Sequence, residues 1–183
     1  MEIKEAMEIY FEKQLKYLQS EYGNYPETPY GEEINEIMIV ENSLDNENYI
    51  QWKPVKQDKS IDFLKLESKL NITINSKIKQ FFSSYWFLSM VGDIGDIELH
   101  FIPIPYGINV LDLIEEYYSY GKQNFPDSGI CFELGNANVD GDDSYLIYVD
   151  NETTIVKCVQ VIDNVSIELG TLEKVISEME AGE

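Results

Sequence analysis

Residues 145–161 read YLIYVDNETTIVKCVQV. Two apolar runs, Tyr145–Val149 and Ile155–Val161, flank Asp150-Asn151-Glu152. Short runs rich in Ile, Val and Tyr suit strands, and an Asp-Asn pair favours a tight turn because its side chains bond their own backbone. The stretch therefore predicts a β-hairpin. Working upstream, Ile130–Leu134 is a third strand of the same kind. Ile97, Leu99 and Phe101 alternate with Glu98, His100 and Ile102, the pattern of a half-buried strand, which Pro103 and Pro105 stop. Tyr49–Trp52, closed by Pro54, and Ile37–Val40 read as two more strands.

Between the strands the apolar period changes. Met7, Phe11, Leu15, Leu18 and Tyr22 recur every three or four residues, which predicts an amphipathic helix over about 3–22 that Gly23 and Asn24 end. Ile61, Leu64 and Leu66 open a short helix. Asn75 has the form of an N-cap before Ile78, Phe81, Phe82 and Tyr85, and Gly92 and Gly95 bracket a turn. A further helix spans Asn109 to Tyr120 with Gly121 as its stop, and Thr171–Glu180 is the last. Helices interleaved with hairpin-linked strands give an α+β fold: a mostly antiparallel central sheet with helices packed around it, in a single domain over 1–183.

Charge limits the function. The chain has 34 Asp and Glu against 13 basic residues, all lysine, for a net charge of -21. Such a surface repels phosphate backbones and anionic lipid and attracts cationic protein surfaces. Arginine, the residue best shaped to grip phosphate in two places, is missing. Nucleic acid, nucleotides and direct lipid insertion are therefore excluded as expectations, and a basic protein surface is favoured. The 44% hydrophobic content is too high for a disordered acidic tail. Charge is also uneven: residues 51–90, with 7 lysines and 3 acids, form a positive island between two acidic flanks, residues 1–50 with 12 acids and 3 lysines and residues 91–183 with 19 acids and 3 lysines. The opening segment, MEIKEAMEIYFEKQL, lacks an apolar run of signal length, so a cytoplasmic protein is expected, at most peripheral on a membrane protein.

Motifs for chemistry are few. Cys131 and Cys158 sit in strands and read as buried thiols, with a bond between them left open. His100, the single histidine, has no nucleophile motif to serve. No phosphate loop is present. Residues 136–143, NANVDGDD, resemble the first half of an EF-hand loop, but the position of its closing glutamate falls on Ile147. The segment reads instead as an acidic turn-forming loop between two strands. No metal and no cofactor is expected.

One ordered set of pieces is recognisable. Tyr49-Ile50-Gln51-Trp52-Lys53-Pro54 is followed by Leu66-Glu67, by Ile78–Tyr85 and by Gly95-Asp96-Ile97-Glu98-Leu99. Downstream come Gly121-Lys122, the Ile130–Gly135 strand, Asp150-Asn151-Glu152-Thr153 and a Leu172-bearing helix. This order resembles the Syd family of SecY-interacting proteins and, more broadly, the SUKH superfamily, over about residues 20–180. The resemblance implies an α+β fold with a concave binding face and no enzymatic activity. It further implies a partner that is either the cytoplasmic loops of the SecY channel or a secreted toxin neutralised by its immunity protein.

The expected function is thus a non-catalytic acidic binding protein. Asp93, Asp96, Glu98, Asp140, Asp142 and Asp143 are the candidates for the charged contact, and Trp52 and Trp86 for the apolar one. The alternative is a carboxylate-dependent hydrolase. It requires two acids about 5–10 Å apart in a deep pocket, with a raised pKa on one of them.

Overall fold

A computed structural model describes residues 1–126, 129–163 and 165–181. The first half holds α1 (Ile3–Glu21), β1 (Glu27–Pro29), a single 3-10 turn (Glu36–Met38), β2 (Tyr49–Gln51) and β3 (Val55–Lys56). It continues with α2 (Leu64–Leu70), α3 (Ser76–Ser84), β4 (Tyr85–Trp86), β5 (Met90–Ile94) and β6 (Ile97–Phe101). The second half holds α4 (Val110–Asn124), β7 (Cys131–Val139), β8 (Asp142–Asp150), β9 (Ile155–Gln160), β10 (Ser166–Thr171), α5 (Leu172–Glu178) and β11 (Glu180–Ala181).

Seven strands form the main sheet in the order β10-β9-β8-β7-β6-β5-β11, and every neighbouring pair is antiparallel. The α+β expectation holds. Strand alternation sorts the two faces. Leu99, Phe101, Ala137, Ile147, Val149, Val156 and Cys158 point inward. They share one core with Met7 and Phe11 of α1, Phe81 and Phe82 of α3, Ile114 of α4, and Leu172 and Ile176 of α5. The outward residues of the same strands include Asp93, Glu98, His100 and Asn136. Both thiols are buried and free, and desolvation pushes the Cys158 thiol up to about 12.

Helix starts follow local chemistry. Asn75 and Asn109 accept hydrogen bonds from Lys77 and Leu111 backbone N–H groups, satisfying donors that a helix N-terminus leaves orphaned. Near the turn between β8 and β9, Asn151 clamps the α2–α3 junction. Its Oδ1 accepts from Asn75 N at 2.9 Å and its Nδ2 donates to Thr73 O at 2.9 Å.

Several expectations need correction. Ile37–Val40 is not a strand: Asn35 caps a 3-10 turn there, and only Ile39 makes a bridge, to Trp52. Gly92 lies inside β5, paired with Leu99 and Ala181, so only Gly95 marks the turn. Gly121 does not end α4, which runs on to Asn124. The residue is glycine because a Cβ would lie 2.5 Å from the Cys131 carbonyl oxygen, where α4 presses on β7. Residues 136–139 belong to β7 rather than to a loop. The final helix stops at Glu178, after which Glu180–Ala181 pairs with β5.

The lysine-rich segment 51–90 is largely neutralised within the fold. Lys56 pairs with Glu8 and Lys77 with Glu173. Lys69 reaches Glu115 at 2.6 Å and Lys79 reaches Glu67 at 2.8 Å. Lys56–Glu8 and Lys69–Glu115 are largely exposed, and such pairs contribute about 0–1 kcal/mol each, whereas Lys77–Glu173 and Lys79–Glu67 are partly buried. Their main effect is to cancel charge on the helical side.

Candidate functional site

The six acidic candidates are carried by two hairpins, with Asp96 and Asp140 in the turns and Asp93, Glu98, Asp142 and Asp143 on the flanking strands. Ile94 pairs with Ile97, leaving Gly95-Asp96 as a two-residue loop with φ of +61° at Gly95. Val139 pairs with Asp142, leaving Asp140-Gly141 with φ of +52° and +87°. Two positive φ angles define the hairpin turn whose twist matches its strands, and Asp-Gly is among the sequences that form it most readily. Asn138 Oδ1 accepts from Gly141 N at 2.9 Å and braces the second turn. Asp142 Oδ1 accepts from Ser144 N at 2.9 Å, and hydrogen bonding from Ser144 holds its carboxyl below the usual range.

Strand register then brings the two turns together. Ile97 is opposite Val139, so both turns stand side by side at one end of the sheet. Glu180, Asp93, Glu98 and Asn138 follow one another directly across β11, β5, β6 and β7. Directly opposed residues share a face, so Glu180, Asp93 and Glu98 form a row of exposed carboxylates. Like charges placed opposite each other destabilise a sheet by roughly 0.2–1 kcal/mol per pair. Residues 90–98 and 138–145 contain no lysine to relieve this. The imidazole of His100, 3.3 Å from Glu98 Oε2, is the one basic group paired there among the described residues, and it is charged only when protonated.

The two tryptophans are not part of this end. Trp52 is fully enclosed, at 0% exposure, so it is a core residue and presents no contact surface. It packs in the main core alongside Met38, and the bridge from Ile39 covers it. Trp86 is half-buried beside a groove of about 360 Å³ and meets the Tyr106 ring edge-on at 5.6 Å. That groove precedes β5 while the acidic turn follows it, so the length of the strand, about 15 Å, separates them.

The arrangement a hydrolase needs is not formed by these acids. They stand on exposed or half-exposed turns, whereas the groove beside Trp86 and the cleft of about 280 Å³ beside Phe125 each have one lining carboxylate among the described residues, Asp58 and Asp150. One carboxyl, Glu133, is pushed up by burial. Its partners are Tyr148 OH at 3.1 Å and Asn124 Nδ2 at 3.5 Å, not a second acid. A carboxyl with a raised folded pKa favours the fold only while protonated, and that contribution is lost as pH rises through the folded pKa. Glu133→Gln should therefore raise the melting temperature at pH 7. The gain should vanish below about pH 4, where the carboxyl is protonated in both states. A melting curve that is unchanged or lowered at pH 7 would contradict this.

Sequence reasoning missed Glu180, because the short strand that carries it has no alternation to read. It also read Asp140-Gly141 as a general loop, although that dipeptide is itself a hairpin signal.

The fold is thus that of an α+β protein whose antiparallel sheet ends in clustered carboxylates. The chain belongs to the Syd family: the sequence model of that family, described as Syd protein (SUKH-2), matches residues 4–105. Protein Syd of Shewanella frigidimarina (strain NCIMB 400) is 30% identical over 102 residues, which is 54% of this chain and 47% of that protein. The alignment therefore spans about half the length of that curated relative. The matched residues include Trp52, Trp86, Asp93, Asp96 and Glu98, while Asp140, Asp142 and Asp143 follow them.

Proposed function

We propose that this chain is a non-catalytic docking protein, one domain over 1–183, whose acidic sheet end receives a basic segment of a protein partner. The observation that carries the reading is the pairing of Ile97 with Val139, which sets the Asp93–Glu98 and Asp140–Asp143 turns side by side. Lysine pairs offset part of the charge on the helical side, while the acids of the two turns have no lysine beside them in sequence, which supports these turns as a source of steering field. Family membership favours the cytoplasmic loops of SecY as the partner. A basic toxin domain is the other partner of the same chemistry. In either case the protein works in the cytoplasm, and it reaches a membrane only through a protein. Among the described residues no helix is long and apolar enough to cross one.

Sedimentation tests this. The protein should pellet with membranes that contain SecY and stay in solution with membranes depleted of it. Raising salt from about 50 to about 500 mM should release it, because the screening length falls about threefold. If SecY makes no difference but a basic toxin domain encoded next to the gene is captured in a salt-sensitive manner, the partner is the toxin. Pelleting that ignores salt would overturn the electrostatic reading.

A further inference from the structure

A third hairpin shares the acidic end, and it is apolar. Tyr145 of β8 is opposite Gln160 of β9, and Leu146 is opposite Val159. The turn that follows Gln160 therefore stands next to the Asp140-Gly141 turn. The two are linked by Gln160 Nε2, which donates to Asp142 Oδ2 at 3.5 Å. The hairpin is held closed by Gln160 N donating to Val165 O at 2.9 Å and by Asp163 N donating to Gln160 Oε1 at 3.0 Å. On this turn Val161 is 43% exposed, Val165 47% and Ile162 84%. Ile162 is more exposed than any other large apolar side chain described, and the backbone bonds keep it outside the core.

We propose that this turn is the apolar anchor of the docking surface, and that the segment it receives is amphipathic. Cationic side chains of the partner face Asp96, Asp140 and Asp143, and an aliphatic or aromatic side chain covers Val161 and Ile162. The proposal rests on the docking function above and assigns the role once expected of Trp52 and Trp86 to a different element. Charge selects the occupant. A second copy would bring an equally acidic end, from a chain of net charge -21, against the first. An anionic lipid surface is repelled in the same way. A basic segment with an apolar face satisfies both halves of the patch at once, with charge guiding the approach and the covered apolar area holding the complex.

The test uses two synthetic peptides of about 18 residues, roughly five helical turns. One alternates lysine and leucine faces, and the other has serine for each leucine. Binding is measured by fluorescence anisotropy to the wild-type protein and to the double variant Val161→Ser, Ile162→Ser. The leucine peptide is expected to bind the wild type at least tenfold more tightly than the serine peptide. The variant should erase most of that advantage while leaving serine-peptide binding and its salt dependence as they were. If the leucine peptide keeps its advantage on the variant, or shows none on the wild type, the anchor is refuted while salt-sensitive binding preserves the docking function. If neither peptide binds in a salt-sensitive way, the docking function fails and the anchor with it. A variant that melts well below the wild type shows that the turn stabilises the fold. In that case Ile162→Ser alone is expected to lose the leucine advantage, and retention of it refutes the anchor.

Discussion

Gly135→Ala should destabilise the protein by about 3 kcal/mol or more, the largest effect expected of a single methyl group anywhere in the sheet. Two costs combine at this position. Its φ of +148° lies in a region that side chains rarely adopt. A Cβ there would also lie 2.0 Å from the His100 carbonyl oxygen and 3.0 Å from Phe101 Cα. Those atoms are backbone of β6, so relief requires β6 and β7 to separate. The same residue sits where the β7–β8 register shifts, between Glu133 and Gly135. Typical domains are stable by only about 5–15 kcal/mol, so the variant loses a large share of its margin. Urea unfolding checks this, and a midpoint within experimental error of the wild type would show that the two strands are not so close.

Neutralising the acidic end should reduce the association rate by about ten- to a hundredfold at low salt. The variant replaces Asp93, Asp96, Asp140, Asp142 and Asp143 with Asn, and Glu98 with Gln. At the exposed positions such substitutions each change stability by about 0.5 kcal/mol or less, and at half-buried Asp142 the asparagine Oδ1 can still accept from Ser144 N. Removing opposed charges such as Asp93 and Glu98 should if anything help the fold. Dissociation should change much less than association, because long-range charge acts on the approach more than on the formed complex. Stopped-flow mixing with the partner captured by sedimentation separates the two rates. An association rate that is unchanged and still falls with salt would place the steering charge elsewhere on the molecule.

The sequence shows the elements better than it shows their neighbours. Helical stripes such as Met7, Phe11 and Leu18 and alternating runs such as Ile97, Leu99 and Phe101 are visible because each buries one side against the core. Short strands escape: β11 has two residues and β5 contains a glycine, so neither shows a period. Ile37–Val40 looks like a strand by composition, but the Asn35 side chain captures the local backbone first. At the candidate site the acids are legible as residues and their convergence is not. It depends on the Ile97–Val139 register, a pairing between segments about forty residues apart that no local pattern encodes. Trp52 misleads for a related reason, since a tryptophan at the end of a short apolar run suits a core and an interface equally well, and only its burial decides for the core.

The Asn151 clamp has an effect that extends beyond local packing. It holds the α2–α3 junction, with Lys69, Lys77 and Lys79 nearby in sequence, at the β8–β9 turn. That turn is the strand end opposite Asp140. Those lysines match Glu115, Glu173 and Glu67, whereas Asp96, Asp140 and Asp143 at the other end have no such partners among the described residues, so negative charge is concentrated toward one end of the strand axis and the molecule is an electric dipole as well as an anion. A positive field then exerts a torque on it as well as a pull. The protein rotates to present its carboxylate pole before any atoms touch, and fewer collisions are wasted on the wrong orientation.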